Sequence, residues 1–357
     1  INYNEIQNLI DDCDNQSQLN DKIISMLNEF TKYNINTIFL HSRAFDDCFY
    51  KSKIFPVSIY CMNNDGQLKF DVLQTFIDEC NKYNMQVHAW INPYRIRNDA
   101  NLNKINNHTL AHRFIETKQT ECLIVTEECV YYNPSILDVQ KYILNGIREI
   151  IENYDVNGIH IDDYFYPTQS LEIDKELYKE YIDSGGKLCI SDFRRKHINS
   201  LVSSIYSLVK SYDCNLMFSI SPSANIKENF DLQFADVILW LTENNYADYV
   251  IPQLYYGYEN ASIPFENCLN EWLKYDKNSK LIIGLGIYKS GEIDEYAYSG
   301  KNEWKNNSNI ISRQVNDVVN NSCCGFAFFS ASYFYSETDN AILISERQNI
   351  KNIMEIL

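Results

Sequence analysis

One unit repeats four times along the chain, and this repeat limits what it can fold into. Each copy runs from an amphipathic helix, through a turn of the form Tyr-Asn/Asp-x-Asn/Gln, into an apolar, β-rich run. The copies are Tyr33-Asn34-Ile35-Asn36 before TIFLHSR, Tyr83-Asn84-Met85-Gln86 before VHAWINPYR, Tyr154-Asp155-Val156-Asn157 before GIHIDDYFYP, and Tyr212-Asp213-Cys214-Asn215 before LMFSISPS. Asn and Asp tolerate the left-handed conformation that ends a helix, so each turn is expected to switch helix to strand. The helices show the matching period: Leu19, Ile23, Met26, Leu27 and Phe30 share a face, with Ser17 as expected N-cap. Val72, Leu73, Phe76, Ile77 and Cys80 repeat that pattern, as do Ile143, Ile147, Ile150 and Ile151, and Ile198, Leu201, Val202, Ile205 and Leu208. Apolar runs at 249–254, 281–285 and 325–330 read as three further buried strands.

Seven apolar strands alternating with helices imply a parallel sheet covered on both faces. Residues 1–5 can supply the tail of an eighth, so the expected architecture is α/β, a (β/α)8 TIM barrel. A length of 357 residues would also allow two domains of about 150 residues. No linker separates them, so one domain over 1–357 is expected. The runner-up, an open doubly wound sheet, would carry a Gly-rich phosphate turn. With 11 Gly in the chain none follows a strand, and neither a dinucleotide site nor any other cofactor is expected. The long connections at 92–135, 163–195 and 286–310 follow the third, fourth and seventh strands, on the face where barrels build active sites. The Ser-Gly-Gly turn at 184–186 and the polar run 300–309 read as loops.

Charge and composition narrow the partners. A net charge of −17 argues against nucleic acid, which needs a basic face. No apolar run approaches the roughly 18 residues that span a bilayer, so no transmembrane segment is expected. The chain opens Ile-Asn-Tyr, with no initiator Met and no signal-like segment to read. Tyrosine is abundant, 27 against 18 Phe, which suits either sugar-stacking clefts or the rim of a core. The 11 cysteines are irregularly spaced and Cys323–Cys324 forms no CxxC pair, so most read as small buried apolar residues.

Groups that carry chemistry gather at strand ends. In GIHIDD, Gly158, His160 and Asp162 alternate with Ile159 and Ile161, which points the first set into the barrel. Asp162 then reaches the barrel mouth with Asp163 beside it and Tyr164 following. Two carboxylates after a buried strand are costly to place without a purpose. Other strand ends add Glu5; His41, Arg43 and Asp47; His88, Asn92, Tyr94 and Arg95; Gln253 and Tyr255; and Tyr288. Carboxylates, amides, Arg and Tyr around one mouth make a sugar site. Arg43 reads equally as a partner for Asp47 or as a ligand contact. A metal centre is the competing use of His41, His88 and His160, but no HxH or HExxH spacing occurs.

The stretches AFDDCFYKSKIFPVS, VHAWINPYRIR, YDVNGIHIDDYFYP, ISPSANI, DYVIPQLYYGY, GKNEW and GFAFFSASYF resemble the glycosyl-hydrolase-like 10 family of bacterial (β/α)8 proteins. The resemblance spans nearly the whole chain. It implies association with the cell envelope or the exterior, and cleavage of peptidoglycan glycan strands. Arg43, Asp47, Tyr50, His88, Asn92, Tyr94, Arg95, His160, Asp162, Asp163, Tyr164 and Gln253 match its motifs. Asp46 and Cys48 depart, and Val57 stands where the family has Trp. Glu5 matches within a Tyr-x-Glu-Ile stretch that follows a Trp-containing first strand in the family, which implies that this strand is largely cut off at Ile1.

The expected chemistry is glycoside hydrolysis by an aspartate pair. Asp163 is expected to protonate the glycosidic oxygen. Asp162 is expected to act as nucleophile or to orient an N-acetyl group, with Asp47 and Glu5 as reserve carboxylates. Action on another polysaccharide, a non-catalytic carbohydrate-binding barrel and a metal-dependent hydrolase are the alternatives. An anionic wall polymer also requires a cleft less acidic than the whole surface, for which Arg43, Arg95, Arg97 and His88 are the available groups.

Overall fold

The computed structural model describes residues 1–276 and 280–356. Its strands are β1 (Thr37–Arg43), β2 (Gln86–Ile91), β3 (Arg95–Arg97), β4 (Leu123–Val125), β5 (Val130–Tyr132), β6 (Gly158–Ile161), β7 (Met217–Ile220), β8 (Tyr249–Val250), β9 (Ile282–Leu285) and β10 (Gly325–Phe328). Seven of them are parallel neighbours in the order β1-β2-β6-β7-β8-β9-β10. Ladders join β1 through β8 and β9 to β10, and single bridges Val250↔Leu281 and Gln253↔Gly284 link β8 to β9. These are the seven strands expected from the sequence. On the outer edge of β1 the Ile1 backbone makes the bonds of a neighbouring strand, from His41 N–H to Ile1 O at 3.0 Å and from Ile1 N to Phe39 O at 2.7 Å.

The expected strand tail at residues 1–5 is otherwise a helix. Here α1 (Tyr3–Asp11) begins at an Asn2 cap: Asn2 Oδ1 accepts from Glu5 N–H while the Glu5 carboxylate accepts from Asn2 N–H. That reciprocal arrangement is a capping box, strong enough locally to turn the chain out of the sheet. Helix α2 (Gln16–Thr31) is capped by Asn15 rather than Ser17, because Asn15 Oδ1 reaches the Gln18 N–H. Helices α3 (Val72–Lys82), α4 (Leu110–Glu116), α5 (Leu137–Asn153), α6 (Lys175–Asp183) and α7 (Ile190–Tyr212) follow. The expected apolar faces of α2, α3, α5 and α7 are buried.

Only two of the four repeated turns are left-handed. Asn34 has φ 50° and Asn84 φ 54°, whereas α5 and α7 end in extended residues, Tyr154 at φ −130° and Asp213 at φ −147°. At the third turn the Asn157 side chain accepts from Val87 N–H at 2.8 Å, so a bond to β2 replaces the local cap.

Strand register sets the barrel interior. His88 pairs with Gly158 and Trp90 with His160 on β2 and β6, while Ile159 and Ile161 are wholly buried outside against helices. Gly158 is required here, since a Cβ would come within 2.5 Å of the His88 ring. The long connections carry structure of their own. Within 92–135, β3, β5 and β4 form an antiparallel sheet beside the mouth. The 300–309 run is not only loop: Glu303–Asn306 is a helical turn, and the buried Glu303 carboxylate accepts from the N–H groups of Tyr258 and Glu259 at 2.9 and 2.8 Å. Cys13, Cys48, Cys61, Cys80, Cys122 and Cys268 are buried. Among the described residues no helix is long and apolar enough to cross a membrane.

Candidate active site

A cavity of about 1200 Å³ runs along the barrel, lined from the strand starts at Thr37, Gln86 and Met217 to the C-terminal strand ends. Asp162 and Asp163 line it just past the end of β6, together with Arg95, His160, Tyr164, Gln253 and Tyr255. Asp162 is 3% exposed and its Oδ1 has no hydrogen-bond partner within the protein. Burial, reinforced by the neighbouring Asp163 charge, pushes the Asp162 carboxyl far above its ordinary range; Arg95, the Trp90 indole and the Tyr164 N–H hold back part of the rise. Asp163 is half-buried, and burial raises it too, against the pull of its own N–H, the Gln253 amide and Arg95. Two such carboxyls titrate as one unit, and the unit retains a proton where isolated aspartates have lost theirs.

The walls are aromatic. Arg95, on β3, packs against two rings, 4.7 Å from the Phe45 centroid and 4.1 Å from the Tyr164 centroid. On the opposite side Tyr255 lies nearly parallel to Phe329 at 5.7 Å and meets Tyr288 edge-on at 5.8 Å. Gln253 is held by donating from Nε2 to Ser221 O at 2.9 Å. Rigid aromatic faces beside carboxyl and amide groups fit a ring with alternating apolar faces and hydroxyl edges.

The remaining expected residues fall elsewhere. Arg43 is 2% exposed and donates to the main-chain oxygens of Asn92 and Pro93 at 2.9 and 3.0 Å, so it braces β1 against β2. Asn92 and Tyr94 are fully buried beneath the mouth. His88 accepts or donates at Nδ1 with the Tyr249 hydroxyl at 3.0 Å, and burial lowers it to about 4, so it is neutral. His160 bonds Ser219 Oγ at 2.8 Å, and His41 stacks on Trp90 with centroids 3.9 Å apart. Among the described residues no three His, Cys, Asp or Glu side chains are grouped as a metal requires.

Asp47 does not line the cavity; it sits beside Ser58, Tyr3 and Arg97, and burial raises its carboxyl. Glu5 lies in an adjoining pocket of about 650 Å³ that Tyr288 and Phe329 also line. Its Oε1 accepts from Ser330 Oγ and Ser332 N–H at 2.7 and 2.6 Å, tying α1 to the loop after β10. Burial opposes ionisation of Glu5, but its cationic and N–H neighbours outweigh it and leave the carboxyl below its usual range. Ser221, at the end of the fifth expected strand, lines the cavity, as do Phe45, Trp90 and Phe329, which the sequence does not single out. Trp90 could have been found, because it alternates with His88 and Asn92 along β2. Phe329 could not, since nothing local says which aromatic of GFAFFS turns inward.

Comparison with known proteins follows the same lines. The chain is 30% identical over 287 residues to "Glycosyl hydrolase YngK" of Bacillus subtilis (strain 168), covering 74% of this chain and 55% of that one. It is 27% identical over 294 residues to "Glycosyl hydrolase DigH" of Escherichia coli (strain K12), covering 76% and 66%. It therefore spans between about half and two thirds of the length of these relatives. In three dimensions it is similar to the PgaB (BpsB) glycoside hydrolase domain of Bordetella bronchiseptica, with TM-score 0.60, 11% identity and coverage of 98% and 96%. A likeness to α-L-fucosidase isoenzyme 2 of Paenibacillus thiaminolyticus has TM-score 0.57 and 11% identity, and covers 92% of this chain and 45% of that one. These likenesses show a fold of the TIM-barrel type. The family model for "Glycosyl hydrolase-like 10" matches residues 7–301, and the chain belongs to that family.

Proposed function

We propose that the chain is a glycosidase acting at the bacterial envelope or outside the cell, on the N-acetylated glycan strands of peptidoglycan. One observation carries the reading: a buried, mutually coupled carboxyl pair at the end of β6 faces an aromatic-walled cavity. The names of the relatives, both glycosyl hydrolases, support the reaction class.

The roles divide by exposure. Asp163, the more open member, touches the glycosidic oxygen and protonates it as the C1–O bond breaks. Asp162 lies deeper and keeps a proton in the pair at neutral pH. The Asp162 carboxyl, which lines the cavity, accepts an acetamide N–H of the substrate, which favours the ionised form of Asp162 and shifts the pair's proton onto Asp163. The aligned acetamide oxygen then attacks C1, and water opens the resulting ring. Asp47, Glu5, Arg43, His88, Asn92 and Tyr94 shape this site from behind or beside it. Tyr164, Gln253 and Tyr255 contact the sugar, and Tyr288 borders its far end.

Incubation with purified peptidoglycan, with reducing ends counted and fragments weighed by mass spectrometry, tests the reading. New muramic or glucosamine reducing ends support it. Binding without products, or inactivation by a chelator, overturns it.

A further inference from the structure

A chain of net charge −17 that handles an anionic polymer needs a cation at its cleft. Four groups near the mouth could serve, and three are committed elsewhere. Arg43 is bonded to main-chain oxygens, Arg97 forms an ion pair with Asp99 at 2.8 Å, and His88 is buried and neutral. Arg95 differs from all three. Among the described residues its side chain makes neither a hydrogen bond nor an ion pair, and its buried Nε has no partner. Its guanidinium packs on two aromatic rings, 4.7 Å from the Phe45 centroid and 4.1 Å from the Tyr164 centroid, and it forms part of the cavity wall. The antiparallel pairing of Arg95 with Tyr131 fixes the backbone that carries it.

A guanidinium held against two aromatic rings, with no hydrogen-bond or ion-pair partner of its own, is pre-organised for one kind of partner, a planar anion that takes two parallel N–H bonds. Stacking limits its rotamers, so little further ordering is needed on binding. The nearby carboxyls do not use it: Arg95 influences both Asp162 and Asp163 through space, yet forms no ion pair with either.

We propose that Arg95 is a specificity-determining residue that reads a carboxylate substituent on the sugar next to the scissile bond. This rests on the glycosidase reading above. The same fork would receive an ether-linked lactyl carboxylate or the ring carboxylate of a hexuronate. It would discriminate against the neutral counterpart of either.

The test is equilibrium binding by calorimetry, using the full chain carrying Asp163→Asn so that the ligand is not consumed. The probes are the disaccharide N-acetylglucosaminyl-N-acetylmuramic acid, its carboxyl-reduced alcohol, and a hexuronate-containing disaccharide. A charge-assisted bidentate contact predicts roughly 10- to 100-fold tighter binding of a carboxylate than of the alcohol. The carboxylate that is preferred identifies the source. Adding Arg95→Met brings acid and alcohol to within about threefold, and Arg95→Lys, which keeps charge but not the fork, gives an intermediate ratio. Equal binding of acid and alcohol overturns the proposal, and so does a preference that survives Arg95→Met. Neither result touches the cleavage assay. Conversely, a failed cleavage assay with an Arg95-dependent preference removes the hydrolase reading and leaves Arg95 as the carboxylate-reading residue of a glycan-binding cleft.

Discussion

Asp162 and Asp174 are the same residue type at almost the same depth, 3% and 1% exposed, and they live in opposite surroundings. Asp174 opens α6 in the long excursion after β6. Its Oδ2 takes Arg194 Nε at 2.5 Å and its Oδ1 takes Ser135 Oγ at 2.9 Å. Arg194 in turn donates to Gln169 and Ser170 main-chain oxygens, so every charge in that knot has a partner. Asp162 has an acidic neighbour, a bare oxygen and a cavity in front of it. Burial alone therefore says little about function. A satisfied buried charge holds a loop to the barrel, whereas an unsatisfied one keeps a proton and waits for a ligand.

This contrast is broken most sharply by removing each charge. Asp163→Asn and Asp162→Asn should each reduce turnover by about a thousandfold or more, in line with loss of an essential acid or its partner, while the fold persists. Turnover on a peptidoglycan substrate, read beside circular dichroism, checks both. Asp174→Asn or Arg194→Met should do the reverse. Stability in denaturant titration should fall by about 3–5 kcal/mol, as expected when one member of a buried pair is stranded. Turnover per folded molecule should stay within about threefold.

Asp46 is the intermediate case, with one oxygen bonded by Tyr132 at 2.5 Å and the other free of hydrogen bonds but 4.0 Å from Arg43 Nη1, and burial raises it to about 7. A carboxyl raised in the folded state binds more protons there than in the unfolded chain. Its stabilising contribution is complete at pH values below about 4 and is lost as pH rises to about 7. Asp46→Asn should therefore gain on the parent across that window, by roughly 3–4 kcal/mol at its upper end, in unfolding measured pH by pH. The smallest effect belongs to the aromatic wall. Tyr255→Ala should raise KM roughly tenfold on a glycan substrate and leave kcat less changed, as befits a stacking contact worth about 1–2 kcal/mol.

The barrel was legible because its signals are long and redundant: seven apolar runs, each preceded by a helix with one apolar face. What the sequence hid depended on single contacts. Asn34 and Asn84 take the left-handed turn, whereas the two copies with Asp at that position, Asp155 and Asp213, do not, and Asn157, two residues on, bonds across to Val87. The capping box of Asn2 and Glu5 is hidden because the same residues also suit the tail of a strand, and only the reciprocal bonds between them decide for the helix. The three-residue strands of the sheet beside the mouth are too short for any period to show. In the site, alternation along β6 correctly turned His160 and Asp162 inward. It could not say that Arg43 would be used up on main-chain oxygens while Arg95 stayed unpaired, because both follow from how the loops fold over the strand ends.

The central claim is that the aspartate pair holds a proton at neutral pH, and infrared difference spectroscopy reads this directly. At pH 7, subtracting the Asp162→Asn spectrum from that of the parent should reveal the C=O stretch of a protonated carboxyl. The band should shift when Asp163 is replaced and should vanish as the pH is raised. A parent spectrum at pH 7 with two ionised carboxylates and no such band would contradict the account.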